Sequence, residues 1–103
     1  MIKVSVFYPR GEGKHFDIEY YSKKHIPMVQ KLCGNALRGA SVERGLSGMT
    51  PGSPAPYLAM GHLLFDSVED FQASFVPHLG PIVGDVPNYT DSEPIVQISE
   101  VKL

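Results

Sequence analysis

The spacing of apolar residues changes along the chain in a fixed order, and this order limits the folds available to it. Residues 2–8 alternate in polarity as a half-buried strand does. Between residues 16 and 33 the apolar residues recur at helical spacing, with Asp17 suited to cap the start and Gly34 to end the helix. Residues 37–46 and 57–65 are again typical of strands, and the proline- and glycine-rich segment 48–56 between them predicts a loop.

A second helix is predicted to begin after Ser67, which stands three residues before Asp70 in a capping-box arrangement. Its apolar stripe consists of Val68, Phe71, Phe75 and Leu79. Prolines and glycines between residues 77 and 84 break this helix up, and a last strand is predicted over residues 95–103. The order strand, helix, strand, strand, helix, strand predicts one α+β domain over residues 1–103. Its fold would be ferredoxin-like βαββαβ, a four-stranded antiparallel sheet with two helices on one face.

The third predicted strand is apolar on both sides, which bears on assembly. Tyr57, Ala59, Leu63 and Phe65 point to one side, and Leu58, Met60 and Leu64 to the other. An antiparallel sheet with one solvated face alternates more cleanly. Because the helices can cover only one face, we expect a second copy of the chain to cover the other in a homodimer.

Composition excludes several classes of protein. The 103 residues carry 9 basic and 11 acidic side chains, so the chain lacks the positive charge that nucleic-acid binding requires. No apolar run approaches the roughly 20 residues that cross a membrane. The single cysteine, Cys33, cannot form a disulfide framework, and the N-terminus does not resemble a signal peptide, so we expect a cytoplasmic protein.

His25 is the sharpest chemical feature because it lies in the middle of the apolar stripe of the first helix. It is either a core histidine that a tyrosine hydroxyl, a carbonyl or a water satisfies, or a proton-transfer group that opens into a cleft between helix and sheet. Tyr21 lies one turn earlier and could orient it. Pro27 removes an amide donor, so we expect the helix to kink beside His25.

Two further residues are candidate ligand contacts. Met28 lies on the same helical stripe, and His62 lies on the third strand, where it either lines the same cleft or has a structural role. The histidines lack the spacing of a metal site, and no phosphate-binding glycine motif is present, so we predict neither a metal nor a cofactor.

Two runs of the sequence resemble the EthD family of small proteins. The run HFDIEYYSKKHIP contains Asp17, Tyr21 and His25, and the closing run DVPNYTDSEPIVQISEV contains Asn88 and Tyr89. The resemblance implies a dimeric α+β barrel in which each subunit has a ligand cleft between sheet and helices. It carries over these five residues, although Asp17 also fits a helix cap, and Asn88 and Tyr89 also fit a turn before the last strand.

These features leave two hypotheses open. The first is an enzyme of catabolic or polyketide-type metabolism that performs cofactor-independent acid/base or oxidoreductase-type chemistry on a small apolar or aromatic ligand. In it, His25 is the acid or base, Tyr21 is its partner, and His62, Met28 and Tyr89 contact the ligand. The second is a noncatalytic carrier of a hydrophobic ligand, or an accessory protein of an oxygenase.

Overall fold

Four antiparallel strands form a single sheet in the computed structural model, which describes all of residues 1–103. The strands are β1 (Ile2–Pro9), β2 (Leu37–Arg44), β3 (Tyr57–Phe65) and β4 (Ile95–Glu100), and their order across the sheet is β2-β3-β1-β4. β1 pairs with β3 and β4, and β2 pairs with β3. With both helical segments on one face, this is the predicted ferredoxin-like α+β fold.

The first helix, α1, covers residues 18–33 and contains a π-helical turn. Its stretches are α-helical Ile18–Tyr20, π-helical Tyr21–His25 and α-helical Ile26–Cys33. The Asp17 side chain caps the start by accepting a hydrogen bond from the Tyr20 amide, as predicted. Gly34, with φ of 61°, ends the helix, also as predicted.

The π turn lies beside His25, where the sequence predicts a kink, and Pro27 supplies a physical reason for the turn. Pro27 has no amide proton to donate to the carbonyl of Lys23, so α-helical bonding is interrupted there. The Ile26 amide donates to the carbonyl of Tyr21, five residues back. The turn therefore holds one residue more than an α-helical turn, and the residues after it are displaced by one position around the helix axis.

The second helical region is broken, as the prolines and glycines predict. It consists of α2 (Val68–Phe75), a 3-10 turn (Val76–His78), α3 (Leu79–Gly84) and a second 3-10 turn (Val86–Asn88). The Ser67 hydroxyl accepts from the Asp70 amide and caps α2. Of the predicted apolar stripe, Phe71 and Phe75 pack against the core, whereas Val68 is exposed and Leu79 starts a separate helix.

Strand alternation gives the sheet two distinct faces. We call the side against α1, α2 and α3 the helix face; it presents Val4 and Tyr8 of β1 and Ala59, Leu63 and Phe65 of β3, all buried. We call the other side the open face; it presents Ser5 and Phe7 of β1 and Leu58, Met60, His62 and Leu64 of β3. The open face has no helix over it, although its β3 residues are only partly exposed.

The core on the helix face consists of two buried groups. The first is mainly aliphatic and is made of Ile2, Val4, Val29, Cys33, Leu63, Phe65 and Ile82. The second is mainly aromatic and is made of Tyr8, Tyr21, Ile26, Ala59 and Tyr89. None of the helices has the length and apolar character needed to span a bilayer.

Candidate active site

A cavity of about 130 Å³ opens between the helix face of the sheet and the helices. Both core groups contribute to its wall, and no lysine, arginine, aspartate or glutamate lines it. The apolar lining consists of Val6, Ile26, Val29, Leu63, Phe75, Leu79, Ile82, Val83, Val86, Pro94 and Val96. An apolar cavity of about 150 Å³ is large enough to hold benzene, so this one accommodates a ligand about the size of one ring.

Buried His25 forms a pair with partly buried Asp85 behind the cavity wall. His25 Nδ1 lies 2.9 Å from Asp85 Oδ2, and the two side chains are only 5% and 15% exposed. Asp85 Oδ1 accepts a hydrogen bond of 2.7 Å from the Tyr20 hydroxyl and one of 2.9 Å from Asn88 Nδ2. Both carboxylate oxygens are thus engaged, which fixes the orientation of Asp85 and, through it, that of the imidazole.

Backbone contacts hold the two halves of this site together. Asp85 follows directly on α3, and Tyr89 follows the second 3-10 turn. The Asp17 amide donates to the Tyr89 carbonyl at 2.7 Å, and Phe16 forms an isolated bridge with Thr90. The start of α1 and the segment 85–90 are therefore joined at main-chain level, which brings residues about 60 positions apart into one site.

The hydrogen bonds define the protonation state of the pair. Burial raises the pKa of Asp85, but hydrogen bonds from Asn88, Tyr20 and His25 outweigh it and lower this pKa below its ordinary value. Burial lowers the pKa of His25, and the opposing influence of Asp85 does not restore it. Near pH 7 Asp85 is therefore a carboxylate and His25 a neutral imidazole, with its proton on Nδ1, where the carboxylate accepts it.

The other ring nitrogen of His25 is on the cavity side. Asp85 does not line the cavity, but Tyr89 does, and its hydroxyl lies 3.5 Å from His25 Nε2. Tyr89 Oη also lies 2.8 Å from the hydroxyl of Tyr8, another lining residue. A 3.5 Å contact is longer than a good hydrogen bond, so the Nε2 lone pair remains available to a ligand.

The buried tyrosines keep their protons and supply the polar groups of the cavity. Burial raises the pKa of Tyr8, Tyr21 and Tyr89 well above the ordinary tyrosine value. Their hydroxyls consequently remain hydrogen-bond donors throughout the neutral range. Tyr21 also stacks on His25, with ring centres 5.5 Å apart and planes 15° apart, so it supports the imidazole from one side.

Three of the predicted site residues come together at the cavity and two do not. Tyr21, His25 and Tyr89 line it. Met28 does not, because the extra residue of the π turn displaces the buried face of α1, and Ile26 and Val29 line the cavity instead. Met28, for which the sequence predicts a ligand contact, therefore lies outside this cavity.

His62 does not line this cavity, which excludes the first of the two alternatives given for it. Its neighbours Gly61 and Leu63 line the cavity, and strand alternation directs His62 to the open face. There His62 Nδ1 lies 2.8 Å from the Ser5 hydroxyl, and Nε2 lies 3.1 Å from a carboxylate oxygen of Glu43. The two imidazoles therefore occupy opposite sides of the sheet.

Asp85 is the main site residue without a predicted role. It belongs to the closing run DVPNYT, three positions before Asn88 and four before Tyr89. That spacing places its carboxylate beside the Asn88 side chain in a short helical turn, which is the local signal available. Its pairing with His25 depends on the main-chain contacts that join Phe16 and Asp17 to Tyr89 and Thr90.

A profile described as an EthD domain matches residues 10–93 of the chain. Among solved structures, an EthD-like protein from Ralstonia eutropha JMP134 is 45% identical and superposes with a TM-score of 0.94, covering 99% of this chain and 92% of that one. An ethyl tert-butyl ether D (EthD) family protein from Bacillus halodurans C-125 is 22% identical, with a TM-score of 0.68 and 99% of both chains covered.

A protein from Arabidopsis thaliana shows the same fold at lower similarity. It is 11% identical, with a TM-score of 0.68, and the alignment covers 100% of this chain and 97% of that one. Among curated proteins, none is similar enough in sequence to count as a match.

Proposed function

The chain belongs to the EthD family, and from this membership and the geometry around His25 we propose that it catalyses proton transfer on an uncharged, ring-sized apolar ligand. The observation that carries the proposal is the state of His25. It is buried and neutral, Asp85 orients it through Nδ1, and its Nε2 is on the side of an apolar cavity. These are the requirements for a general base that works near neutral pH.

In this mechanism His25 Nε2 removes a proton from a C–H or O–H group of the ligand. The imidazolium that forms is stabilised through its Nδ1 proton by the Asp85 carboxylate, 2.9 Å away. Negative charge develops on a ligand oxygen, and the Tyr89 hydroxyl, which accepts a hydrogen bond from Tyr8 at 2.8 Å, would donate its own proton to that oxygen. Return of the proton to a different ligand atom completes an isomerisation or ring closure, with no net change in oxidation state.

The cavity favours a ligand with a carbonyl or phenolic oxygen and no charge of its own. No cationic side chain lines the wall, so a carboxylate or phosphate would be desolvated without a partner. The tyrosine hydroxyls can meet one oxygen, and the remaining wall is apolar. Small aromatic ketones and phenols have this combination of groups.

The proposal is tested by proton exchange into a panel of ring-sized ketones and phenols in deuterated buffer, followed by NMR. We expect the wild-type protein to accelerate exchange, and His25→Gln to reduce the rate by roughly 10² to 10⁴-fold, the usual contribution of a general base. His62→Gln is the matched control, because His62 lies across the sheet, and it should retain the wild-type rate. Equal rates in wild-type and His25→Gln proteins would refute the catalytic role.

A noncatalytic carrier is the second candidate, and the almost wholly apolar lining favours it. Apolar burial alone provides affinity for a ring-sized ligand and needs no titrating group. A carrier would bind the same neutral probes with an affinity that is constant between pH 5 and 8 and unchanged in His25→Gln. Calorimetric titration with one aromatic ketone at several pH values separates the two functions.

We also propose that a second copy of the chain covers the open face. Leu58, Met60 and Leu64 give this face an apolar centre that no helix of the same chain covers. Packing of two such sheets would bury these side chains and complete a dimeric barrel. The cavity lies on the helix face, so each subunit would keep its own site.

A further inference from the structure

The Asp85 carboxylate divides its hydrogen bonds between the site and the surface. Its Oδ2 accepts from buried His25, whereas its Oδ1 accepts from Tyr20 at 2.7 Å and Asn88 at 2.9 Å. Tyr20 is half-buried and Asn88 is exposed. The same carboxylate thus connects a cavity residue to two residues that do not line the cavity.

We propose that Tyr20 is a positioning residue that acts through Asp85 to keep His25 neutral and ready to accept a proton. This role rests on the proposed function, in which neutral His25 accepts a proton from the ligand. A carboxylate that already accepts from Tyr20 and Asn88 has less negative charge available to the His25 Nδ1 proton. Without the Tyr20 donor, the carboxylate would hold this proton more strongly and would favour the imidazolium.

The packing around Tyr20 supports a fixed donor. Its ring is stacked on Tyr89 with planes 22° apart, and Lys24 Nζ lies 5.6 Å from its ring centre on an adjacent turn of the helix. The hydrogen bond to Asp85 is the main cause of the raised pKa of Tyr20, so the hydroxyl remains protonated and can only donate to the carboxylate.

The other titratable groups facing the pair are few. Tyr21 and Tyr89 pack on the His25 ring, and Tyr8 contacts Tyr89; all three remain neutral. Lys24 is the charged group nearest to Tyr20, on its outer side. Tyr20 and Asn88 are therefore the groups that set the charge on the Asp85 carboxylate at its Oδ1 end.

The test is an NMR titration of ¹⁵N-labelled protein without any ligand, which follows the His25 ring nitrogens and the Nδ1 proton. In Tyr20→Phe, which keeps the ring, we expect the His25 titration to move to higher pH and the Nδ1 proton resonance to move downfield, as in a stronger hydrogen bond. In Asp85→Asn, where the carboxylate charge is lost, the titration should move to lower pH. The opposite signs identify an effect transmitted through the carboxylate.

Two further variants keep the proposal falsifiable. Tyr57→Phe removes a hydroxyl from a tyrosine that packs on Phe7 and does not line the cavity, and it should leave the His25 titration unchanged. Asn88→Ala removes the second donor to Oδ1, so it should act in the same direction as Tyr20→Phe and substitutes for it if that variant does not fold.

A His25 titration that stays at the wild-type position in both variants would overturn the proposal. So would an Nδ1 proton that moves upfield or is lost by exchange, since that pattern indicates water entry rather than a stronger bond. The measurement does not depend on turnover. If the His25 titration shifts as expected but the His25→Gln variant is fully active, the role of Tyr20 is supported and the proposed function is rejected. If the titration does not shift but His25→Gln is inactive, only the role of Tyr20 is rejected.

Discussion

The two faces of the sheet each present one histidine with a carboxylate partner, yet the two sites differ in their surroundings. On the helix face, His25 is almost fully buried, pairs with a carboxylate that is itself 15% exposed, and lines an apolar cavity. On the open face, His62 is 20% exposed and pairs with Glu43, whose side chain is 42% exposed. The same residue types are present on both sides.

This difference shows that surroundings, rather than residue identity, distinguish the two histidines. Burial lowers the pKa of His25 and protects its hydrogen bond to Asp85 from water. The carboxylate of Glu43 is exposed, so solvent screens its interaction with His62, and such an ion pair adds little to the stability of the fold. The proposals above place proton transfer on the helix face and subunit contact on the open face, and the following substitutions test that division in pairs.

The largest effect is expected from a charge on the open face. Met60→Asp would place a carboxylate in the apolar centre of this face, opposite Glu43 of β2 in the sheet register. If two open faces pack together, the buried and mutually repelling charges should raise the dimer dissociation constant on the order of 10³-fold. Sedimentation equilibrium should give a dimer for the wild type and a monomer for the variant.

The control for that experiment is Leu46→Asp. Leu46 is 81% exposed in the loop after β2, so a charge there should leave the dimer intact. A wild-type protein that sediments as a monomer at micromolar concentration would contradict the assignment of the open face to subunit contact.

The second effect concerns packing against each face. An added Cβ at Gly61 on the helix face would overlap the hydroxyl of buried Tyr21, so Gly61→Ala should cost about 1–3 kcal/mol of unfolding free energy. At Gly39 in β2 the nearest atom would be the flexible Leu64 Cδ1, at 3.2 Å. Gly39→Ala should therefore cost less. Urea unfolding measures the loss of stability in both variants. An equal loss would indicate that the helix face is packed no more tightly than the open face.

The third prediction concerns pH. The pKa of His25 in the folded protein is below its value of about 6.5 in an unfolded chain. As pH falls below 6.5, the unfolded state binds a proton that the folded state does not, so stability should fall by up to about 1.4 kcal/mol per pH unit. Above pH 6.5 the stability is not reduced by His25. As pH falls from 6.5 to the pKa of His25 in the folded protein, the stability decreases, and below that pKa it decreases no further on account of this residue.

Urea midpoints between pH 7 and pH 5 check this slope. His25→Gln should lessen it, and His62→Gln should retain the contribution of His25. The lowered pKa of Asp85 adds a separate loss that begins only below its unfolded value of about 3.8. A wild-type slope that survives in His25→Gln would contradict the predicted neutral state of the buried imidazole.

The smallest effects are expected from single hydroxyl groups on neighbouring parts of β1. Tyr8→Phe removes the 2.8 Å partner of the buried Tyr89 hydroxyl, so it should cost about 1 kcal/mol. Ser5→Ala removes the 2.8 Å partner of His62, whose ring can reach solvent, and should cost less in the isolated subunit. Thermal unfolding of the two variants gives the difference in stability. A larger loss of stability for Ser5→Ala than for Tyr8→Phe would contradict the prediction.

Much of the fold could be predicted because it depends on local signals. The alternation in β1 and β3 and the caps at Asp17, Ser67 and Gly34 determine where the elements begin, end and face. Alternation also grouped His62 correctly with Leu58, Met60 and Leu64. It does not say which of two apolar faces the helices cover, and that is why the sequence left the side of His62 open.

The site was less predictable because its parts are distant in sequence. His25 stood out as a polar residue on an apolar stripe, which is a local observation. Asp85 lies 60 residues further on, and tertiary contacts between the start of α1 and the segment 85–90 bring the two together. Pro27 indicated a disturbance in α1, but a kink and a π turn differ in hydrogen bonding, so the displacement that excludes Met28 from the cavity could not be foreseen.

The π turn between Tyr21 and His25 also means that this site is specified by chain length as well as by side chains. Removal of one exposed residue from the turn, such as Ser22, would take away the extra residue of the π turn and rotate the parts of α1 on either side of it by about 100° relative to each other. Tyr21 would then no longer share a direction with Ile26 and Val29, although every cavity residue would still be present. A relative with the same histidine and tyrosines but one residue fewer in this turn would therefore have a different cavity, and alignments of the family need to place that gap before they transfer a role.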